Sequence, residues 1–421
     1  MKQNAIIQTL SKPLLFATFF MAFPVFTVVQ NISFFFLAYF FYKINAITPQ
    51  LLKAKSIMGI TGIFLIIGAF MSTLKSGLYF GTESFYTSIK VLPNYTYWGL
   101  LIIFVGNVFF RFVSFEHLGK MVFWGVCANV AGRFIFYPIL NILPFYNGGS
   151  QNGFAFQLII FAPIATSYLH DKYSNYFYTF IFIGLISLSG ALSGSRSASI
   201  MVLLGSTASV YLGNFIQLSI TTFLAILASF VIPSLIESPQ VKKIVQQLNP
   251  RTYELLYETE NTLKTDRSYL TRLAMIEKGL NIFEDHPISG IGIGNFMATE
   301  YEIDFKFEGS EFIETKEDEL MHTNSHNSYI SFLSEGGILL FIPLMLLLFL
   351  PIYFFFTHYF TIPNVHKGLF IGIIFMSIHS WFIAGMVNVM GWFILGIANA
   401  YMINFKRFKI KTENNIFNHK Q

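Results

Sequence analysis

The residues best suited to chemistry lie in the run from His322 to Gly337, which reads His-Thr-Asn-Ser-His-Asn-Ser-Tyr-Ile-Ser-Phe-Leu-Ser-Glu-Gly-Gly. The run stands where a long acidic segment passes into the apolar stretch 338–356. An imidazole at that junction, His326, has an ordinary pKa of about 6.5 and can accept a proton from a sugar hydroxyl at neutral pH. A single histidine near a membrane surface is also commonly structural, so both interpretations stay open.

Two other groups in the run are candidates for chemistry. His322 precedes His326 by four residues, a spacing that also suits a pair of metal ligands, but no carboxylate stands between them. We therefore expect no metal site. Glu335 follows His326 by nine residues, which places it about half a turn away around a continuous helix. The two side chains then point to opposite faces, so we do not expect Glu335 to orient His326 directly unless the helix breaks near Gly336-Gly337. A buried carboxylate needs a partner, so we expect a structural ion pair for Glu335, with catalysis as the alternative.

Three arginines are candidate anion-binding residues. Arg196 lies in the run Leu-Ser-Gly-Ser-Arg-Ser-Ala between two apolar stretches. Its guanidinium can bind a phosphate or diphosphate through two parallel hydrogen bonds, or it can extend to water at the membrane surface. Arg272 lies beside the apolar stripe of a predicted amphipathic helix and can face the membrane junction, whereas Arg267, five residues earlier, is less well placed. A solvated surface role stays open for both.

The composition predicts an all-α integral membrane protein with about 12 transmembrane helices. The chain is 54% hydrophobic and 12% charged, whereas soluble domains carry about 25% charged residues. Apolar runs of a length that spans a bilayer recur throughout. The single cysteine, Cys127, excludes an intramolecular disulfide. The predicted spans lie near 11–27, 30–42, 55–73, 94–113, 118–138, 154–169, 176–193, 197–213, 216–236, 327–357, 367–385 and 387–405.

The charges divide the chain into two unlike parts. Residues 237–325 hold 17 of the 22 acidic residues and nine of the 27 basic ones, so this segment carries about −8 and the remainder about +13. Basic residues are enriched in cytoplasmic loops. We therefore predict a bundle of about nine spans over 1–236, a periplasmic loop over 237–325, about three spans over 326–405 and a cytoplasmic tail over 406–421. Both termini are then cytoplasmic.

The acidic segment is expected to form a small, mostly helical lid on the outer face of the bundle. Ser268 to Phe283 is predicted to be an amphipathic helix, capped by Asp266 or Ser268. The run 286–296, His-Pro-Ile-Ser-Gly-Ile-Gly-Ile-Gly-Asn-Phe, predicts a tight turn supported by His286, and its spacing does not fit a nucleotide-binding motif. The apolar stripe of the helix is predicted to consist of Leu273, Ile276, Leu280 and Phe283.

Four motifs follow one another along the chain: Ser195-Arg196-Ser-Ala, Thr271-Arg272-Leu, the turn run that begins at His286, and His326-Asn-Ser-Tyr followed by Glu335-Gly-Gly. In this order they resemble the motifs of the O-antigen ligase and O-antigen polymerase superfamily. The resemblance covers about residues 190–345, and the first 190 residues are similar only as a multi-span pattern.

The resemblance implies a metal-independent, inverting glycosyltransferase in the bacterial inner (plasma) membrane. Its donor is a glycan on undecaprenyl diphosphate, its surroundings are membrane lipids, and no cofactor or nucleic acid is involved. By the same resemblance, Arg196 and Arg272 bind the donor diphosphate and His326 activates the acceptor hydroxyl. Asn327 and Glu335 match the motif as candidate supporting residues, and Arg267 is a further candidate.

The acceptor and the reaction stay open between alternatives. We expect a polymerase that joins lipid-linked repeat units into O-antigen or capsular polysaccharide. The close alternative is a ligase that transfers the glycan to lipid A-core. A transporter of lipid-linked glycans is an alternative of a different class, for which paired interrupted helices in two halves are typical. The polar residues here concentrate outside the membrane instead.

Overall fold

The computed structural model describes residues 2–22, 36, 39, 56–132, 151–192, 196–211, 239–248, 267–299, 324–383, 386 and 388–418. Within these ranges the regular structure is helical, which confirms the all-α prediction for the described part of the chain. The helices, in chain order, are α1 (Lys2–Ala22), α2 (Ile57–Phe80), α3 (Thr82–Phe112), α4 (Phe115–Ala131), α5 (Gln151–Tyr173), α6 (Tyr176–Leu192), α7 (Arg196–Tyr211), α8 (Pro239–Leu248), α9 (Arg267–Asp285), α10 (Ser328–Thr357), α11 (Asn364–His379) and α12 (Val389–Asn418).

Among the described helices, α2, α3 and α10 are long and apolar enough to cross a membrane. They contain 24, 31 and 30 residues, which at about 1.5 Å per residue exceeds the roughly 30 Å of a hydrocarbon core. Helix α2 lies between the other two and packs against both. The predicted span 216–236 and nearly all of 30–42 lie outside the described residues, so the full set of twelve spans stays a prediction.

Several helix ends differ from the predicted spans. Helix α3 begins at Thr82 rather than near 94, and α12 continues to Asn418, through most of the predicted tail 406–421. Helix α11 ends at His379, six residues before the predicted end at 385. The differences in α3 and α12 arise because the predicted spans follow apolar composition, whereas a helix can continue into polar sequence as long as its backbone hydrogen bonds are satisfied.

Helix α5 lies at the centre of the bundle, where it packs against α4, α7 and α11. Ser167 in α5 donates a hydrogen bond to the Ser209 carbonyl in α7 at 3.1 Å, and the ring of Phe156 in α5 stacks on His379 of α11. These contacts make α5 and α7 parallel and α11 antiparallel to both. The start of α7 and the end of α11 therefore lie at the same end of the bundle.

The amphipathic helix is confirmed, but its predicted stripe is only partly buried, with Ile276 packed against the buried cluster. Helix α9 packs against α10 through Ala274, Met275 and Ile282, whereas Leu280 is 42% exposed. Gly279 explains the difference, because a Cβ on it would lie 2.2 Å from the Cγ2 of Ile330. The face that carries this glycine allows the closest approach to α10, so the helix turns that face inward.

Candidate functional site

Helix α10 is broken inside its first third, at Gly337, where φ is 56° and ψ is −155°. The break frees backbone groups on both sides, and the loop that follows α9 binds them. In that loop the N–H groups of Ile291 and Gly292 donate to the carbonyls of Ser334 and Glu335, at 3.1 and 2.9 Å, and the carbonyls of Pro287 and Ile288 accept from Ile338 and Leu339, at 2.9 and 3.1 Å. The loop therefore replaces the intrahelical hydrogen bonds that the break removes.

The same loop contains the tight turn that the sequence predicts. Gly290, Gly292 and Gly294 have φ values of 61°, 103° and 81°, in the region that favours glycine. The carbonyl of His286 accepts the N–H of Gly290 at 3.0 Å, which confirms that His286 supports the turn. Close approach also requires glycine here, since a Cβ on Gly290 would lie 2.3 Å from the carbonyl carbon of Glu335.

Glu335 binds this loop through its side chain as well. Its carboxylate accepts the N–H of Phe296 at 3.2 Å and that of Gly294, and its backbone carbonyl accepts the Ser72 hydroxyl of α2 at 2.7 Å. The structural ion pair predicted for Glu335 is therefore wrong within the described residues, where backbone N–H groups take the place of a cation. Glu335 joins α2, α10 and the loop into one unit.

His326 lies two residues before the start of α10 at Ser328, so it is outside the helix. Its φ is 49°, a left-handed conformation that non-glycine residues adopt infrequently. Helix α10 begins at Ser328, and Asn327 is its N-cap, whose side-chain oxygen accepts the N–H groups of Tyr329 at 2.9 Å and Ile330 at 3.2 Å. Asn327 thus has a structural role that fixes the backbone beside His326.

The start of α10 is held against the end of α11. The Ser328 N–H donates to the Ser380 carbonyl at 2.9 Å, and the Tyr329 hydroxyl donates to the Ser377 carbonyl at 2.8 Å. The Ser328 hydroxyl also donates to the Ile383 carbonyl at 3.0 Å. These bonds place His326 over the end of α11.

Arg272 of α9 and His326 lie close enough to interact electrostatically. Burial lowers the pKa of His326, and the positive charge of Arg272 lowers it further. The imidazole is therefore neutral at pH 7, which is the form that accepts a proton. Two of the residues predicted for the site, a cation and a base, thus lie on the same side of the bundle, where α9 packs against α10.

The remaining predicted site residues are only partly placed. Arg196 is the first residue of α7 and Arg267 the first of α9, and the side chains of both lie outside the described part of the structure. The backbone of Arg196 lies at the end of the bundle where α11 ends, the end that also carries His326. His322 falls outside the described residues, and within those residues no three His, Cys, Asp or Glu side chains are grouped to hold a metal ion.

Two buried polar residues were missed by sequence reasoning. His379, the last residue of α11, is fully buried, and its ring stacks on Phe156 at 6.3 Å between centroids. Lys278 of α9 is buried with its ammonium 4.9 Å from the centre of the Phe296 ring, and burial lowers its pKa to about 8. The available signal for each was a basic residue within an apolar helical pattern.

Comparison with known proteins identifies the segment that contains this site. Residues 179–345 match the model of the Wzy_C family, described as O-antigen ligase. The matched segment runs from α6 into α10 and includes Arg196, Arg272, His326 and Glu335. None of the curated proteins matches the chain. The chain therefore has helices long and apolar enough to cross a membrane, and its residues 179–345 are similar to the Wzy_C family of O-antigen ligases.

Proposed function

We propose that this chain is a membrane glycosyltransferase that transfers a glycan from undecaprenyl diphosphate to an acceptor hydroxyl. The family match supports an enzyme of the O-antigen ligase or polymerase type. The observation that carries the proposal is that α9, which carries Arg272, packs against α10, which begins two residues after His326, with both residues inside the matched segment. This pair supplies the two functions that the transfer needs, namely a cation for the diphosphate and a base for the hydroxyl.

In the proposed reaction, the acceptor oxygen forms a bond to the anomeric carbon as the bond from that carbon to the diphosphate oxygen breaks. His326 takes the hydroxyl proton, and the electron pair of the broken bond leaves on undecaprenyl diphosphate. Arg272 and Arg196 stabilise the negative charge that grows on this leaving group. Direct attack of this kind inverts the anomeric configuration, and the two guanidiniums take the role that a metal ion has in other diphosphate-sugar transferases.

The first acceptor that we propose is another lipid-linked repeat unit, which makes the enzyme a polymerase of O-antigen or capsular polysaccharide. Donor and acceptor then carry the same polyprenyl lipid, so one type of apolar surface between the helices can hold both. The second candidate is a ligase with lipid A-core as acceptor, and the description of the matched family as O-antigen ligase favours it.

We place the reaction at the outer face of the bacterial inner membrane, with residues 237–325 in the periplasm and both termini in the cytoplasm. The positive-inside distribution of basic residues supports this orientation. The long apolar helices α2, α3 and α10 support a multi-pass protein with about twelve spans. In that orientation the start of α10, and with it His326, meets the outer water–lipid boundary.

Two complementation experiments test the proposal and separate its alternatives. The gene is expressed in a strain that lacks its O-antigen polymerase and in a strain that lacks its ligase, and lipopolysaccharide is separated by gel electrophoresis. A recovered ladder of long chains in the first strain supports a polymerase, and recovered attachment to core in the second supports a ligase. If the wild-type protein is present in the membrane and neither product returns, purified protein with its own lipid-linked donor decides whether any transfer occurs.

A further inference from the structure

His379 has polar atoms that the fold leaves unused. It is fully buried at the end of α11, and neither Nδ1 nor Nε2 has a hydrogen-bond partner among the described residues. A buried imidazole without partners lowers the stability of the fold, because its nitrogens lose hydrogen bonds to water and gain none. Its ring is held in place by stacking on Phe156.

The position of His379 connects it to the site described above. Arg272 lies near enough to His379 for its charge to act on this imidazole, as it does on that of His326. The residues that flank His379, Ser377 and Ser380, accept the hydrogen bonds that anchor the start of α10. His379 therefore lies beneath the site, on the side formed by α11.

The charge state of His379 favours a particular ligand. Burial disfavours the charged form of an imidazole, and in the neutral form one ring nitrogen donates a hydrogen bond and the other accepts one. A sugar hydroxyl likewise donates and accepts, whereas a fully ionised diphosphate oxygen only accepts. A neutral imidazole thus complements a sugar better than it complements the diphosphate itself.

We infer that His379 is a substrate-binding residue that hydrogen-bonds a hydroxyl of the sugar attached to the donor diphosphate. Arg272 and His379 then hold adjoining parts of one donor, the guanidinium its diphosphate and the imidazole its first sugar. His379 lies outside the matched family segment 179–345. The inference rests on the proposed function, because it takes the donor to be a diphosphate-linked glycan.

Two variants separate binding from structure. His379→Phe keeps an aromatic ring against Phe156 and removes both nitrogens, and replacement of an unpartnered buried polar group by an apolar one of similar shape is close to neutral for stability. His379→Gln keeps one donor and one acceptor. Ser206→Ala is the matched control, because the Ser206 hydroxyl is also buried without a partner but lies on the part of α7 remote from Arg196.

The experiment measures equilibrium binding of two probes to the purified full-length protein in lipid nanodiscs. One probe is undecaprenyl diphosphate alone, and the other is the glycan-bearing lipid extracted from cells that lack the transfer step. His379→Phe should weaken binding of the glycan-bearing lipid about tenfold and leave binding of the bare lipid within about twofold. His379→Gln should recover most of the loss, Ser206→Ala should change neither affinity, and Arg272→Gln should weaken both.

Other outcomes of the binding experiment would overturn either the contact between His379 and the sugar or the proposed function itself. Unchanged binding of the glycan-bearing lipid by His379→Phe, or an equal loss for both probes, overturns the sugar contact. If His379→Phe does not fold, His379→Leu replaces it in the comparison with His379→Gln, and equal binding by those two variants overturns the inference. Failure of the wild-type protein to bind either probe is a failure of the proposed function instead.

Discussion

The carboxylate of Glu335 accepts the backbone N–H of Phe296 at 3.2 Å, although the two residues are 39 positions apart in the chain. Phe296 lies in the loop that follows α9, and α9 carries Arg272. Glu335 lies in α10, just after the segment that carries His326. This hydrogen bond therefore ties together the two elements whose relative position sets the distance between the guanidinium and the imidazole.

Substitution of Glu335 distinguishes this structural role from catalysis. Glu335→Ala leaves the N–H groups of Phe296 and Gly294 without the carboxylate, which should cost about 1–3 kcal/mol of stability and lower transfer as well. Glu335→Gln keeps one acceptor oxygen and should retain most of both properties. Thermal unfolding and transfer rates of the purified variants provide the measurement. A folded but inactive Glu335→Gln protein would indicate a catalytic carboxylate, since an amide cannot exchange the proton.

The break in α10 should not tolerate a side chain at Gly337. A Cβ there would lie 2.5 Å from the carbonyl carbon and oxygen of Ile288, so Gly337→Ala should destabilise the protein through both the clash and the unfavourable backbone. Gly81 is a matched control, because its φ is 89° and a Cβ on it meets nothing within 4 Å.

The backbone cost shared by the two alanine variants is of order 1–3 kcal/mol. Gly337→Ala should therefore lower the melting temperature clearly more than Gly81→Ala, as measured by thermal unfolding in the same detergent. Equal shifts for the two proteins would show that the loop can move away from α10, and that the contact at Ile288 contributes little.

Replacement of His326 should abolish transfer without unfolding the protein. Asparagine is the best substitute, because His326 has a φ of 49° and asparagine tolerates this left-handed region better than alanine. Loss of a general base should lower kcat by about 10²–10⁴-fold, with donor binding and melting temperature close to those of the wild type. Transfer at a near-normal rate by His326→Asn would remove His326 from the base role.

The pH dependence of transfer should reflect the lowered pKa of His326. Since burial and the charge of Arg272 both lower this pKa, kcat/KM should stay constant on acidification until the pH falls below about 6.5, the ordinary histidine value. Arg272→Gln removes a positive charge, which makes protonation easier and should shift the acidic limb to higher pH. Arg272→Lys keeps the charge and should leave the limb in place while lowering the rate. An identical acidic limb for Arg272→Gln would show that another group controls the profile.

Substitution of Arg196 by lysine tests whether its guanidinium binds the diphosphate. Lysine keeps the positive charge but not the planar pair of N–H donors, so transfer should fall about tenfold or more, with a raised KM for the lipid-linked donor. Arg111→Lys, on the exposed face at the end of α3, is the control and should have no effect. Near-normal kinetics of Arg196→Lys would favour a side chain that only extends to water.

The elements that the sequence predicted correctly depend on local patterns. The apolar length of α2 and α10, the periodicity of α9 and the three glycines of the turn each follow from a few neighbouring residues, whose backbone requirements are the same wherever the segment lies. The helix ends of α12 and α3 differ from the predicted spans for the same reason, because local composition does not record how far backbone hydrogen bonds continue.

The sequence by itself determined a helical membrane protein with an ordered set of polar motifs, since apolar length, charge sign and glycine positions are properties of the chain alone. Only the tertiary structure decided which face of α9 is buried, that the partners of Glu335 are backbone N–H groups, and that the backbone around His379 binds the start of α10. These relationships join residues far apart in sequence. They arise from the close packing of α9, α10 and α11. Gly279 allows α9 to approach α10 closely, and the start of α10 is hydrogen-bonded to the end of α11.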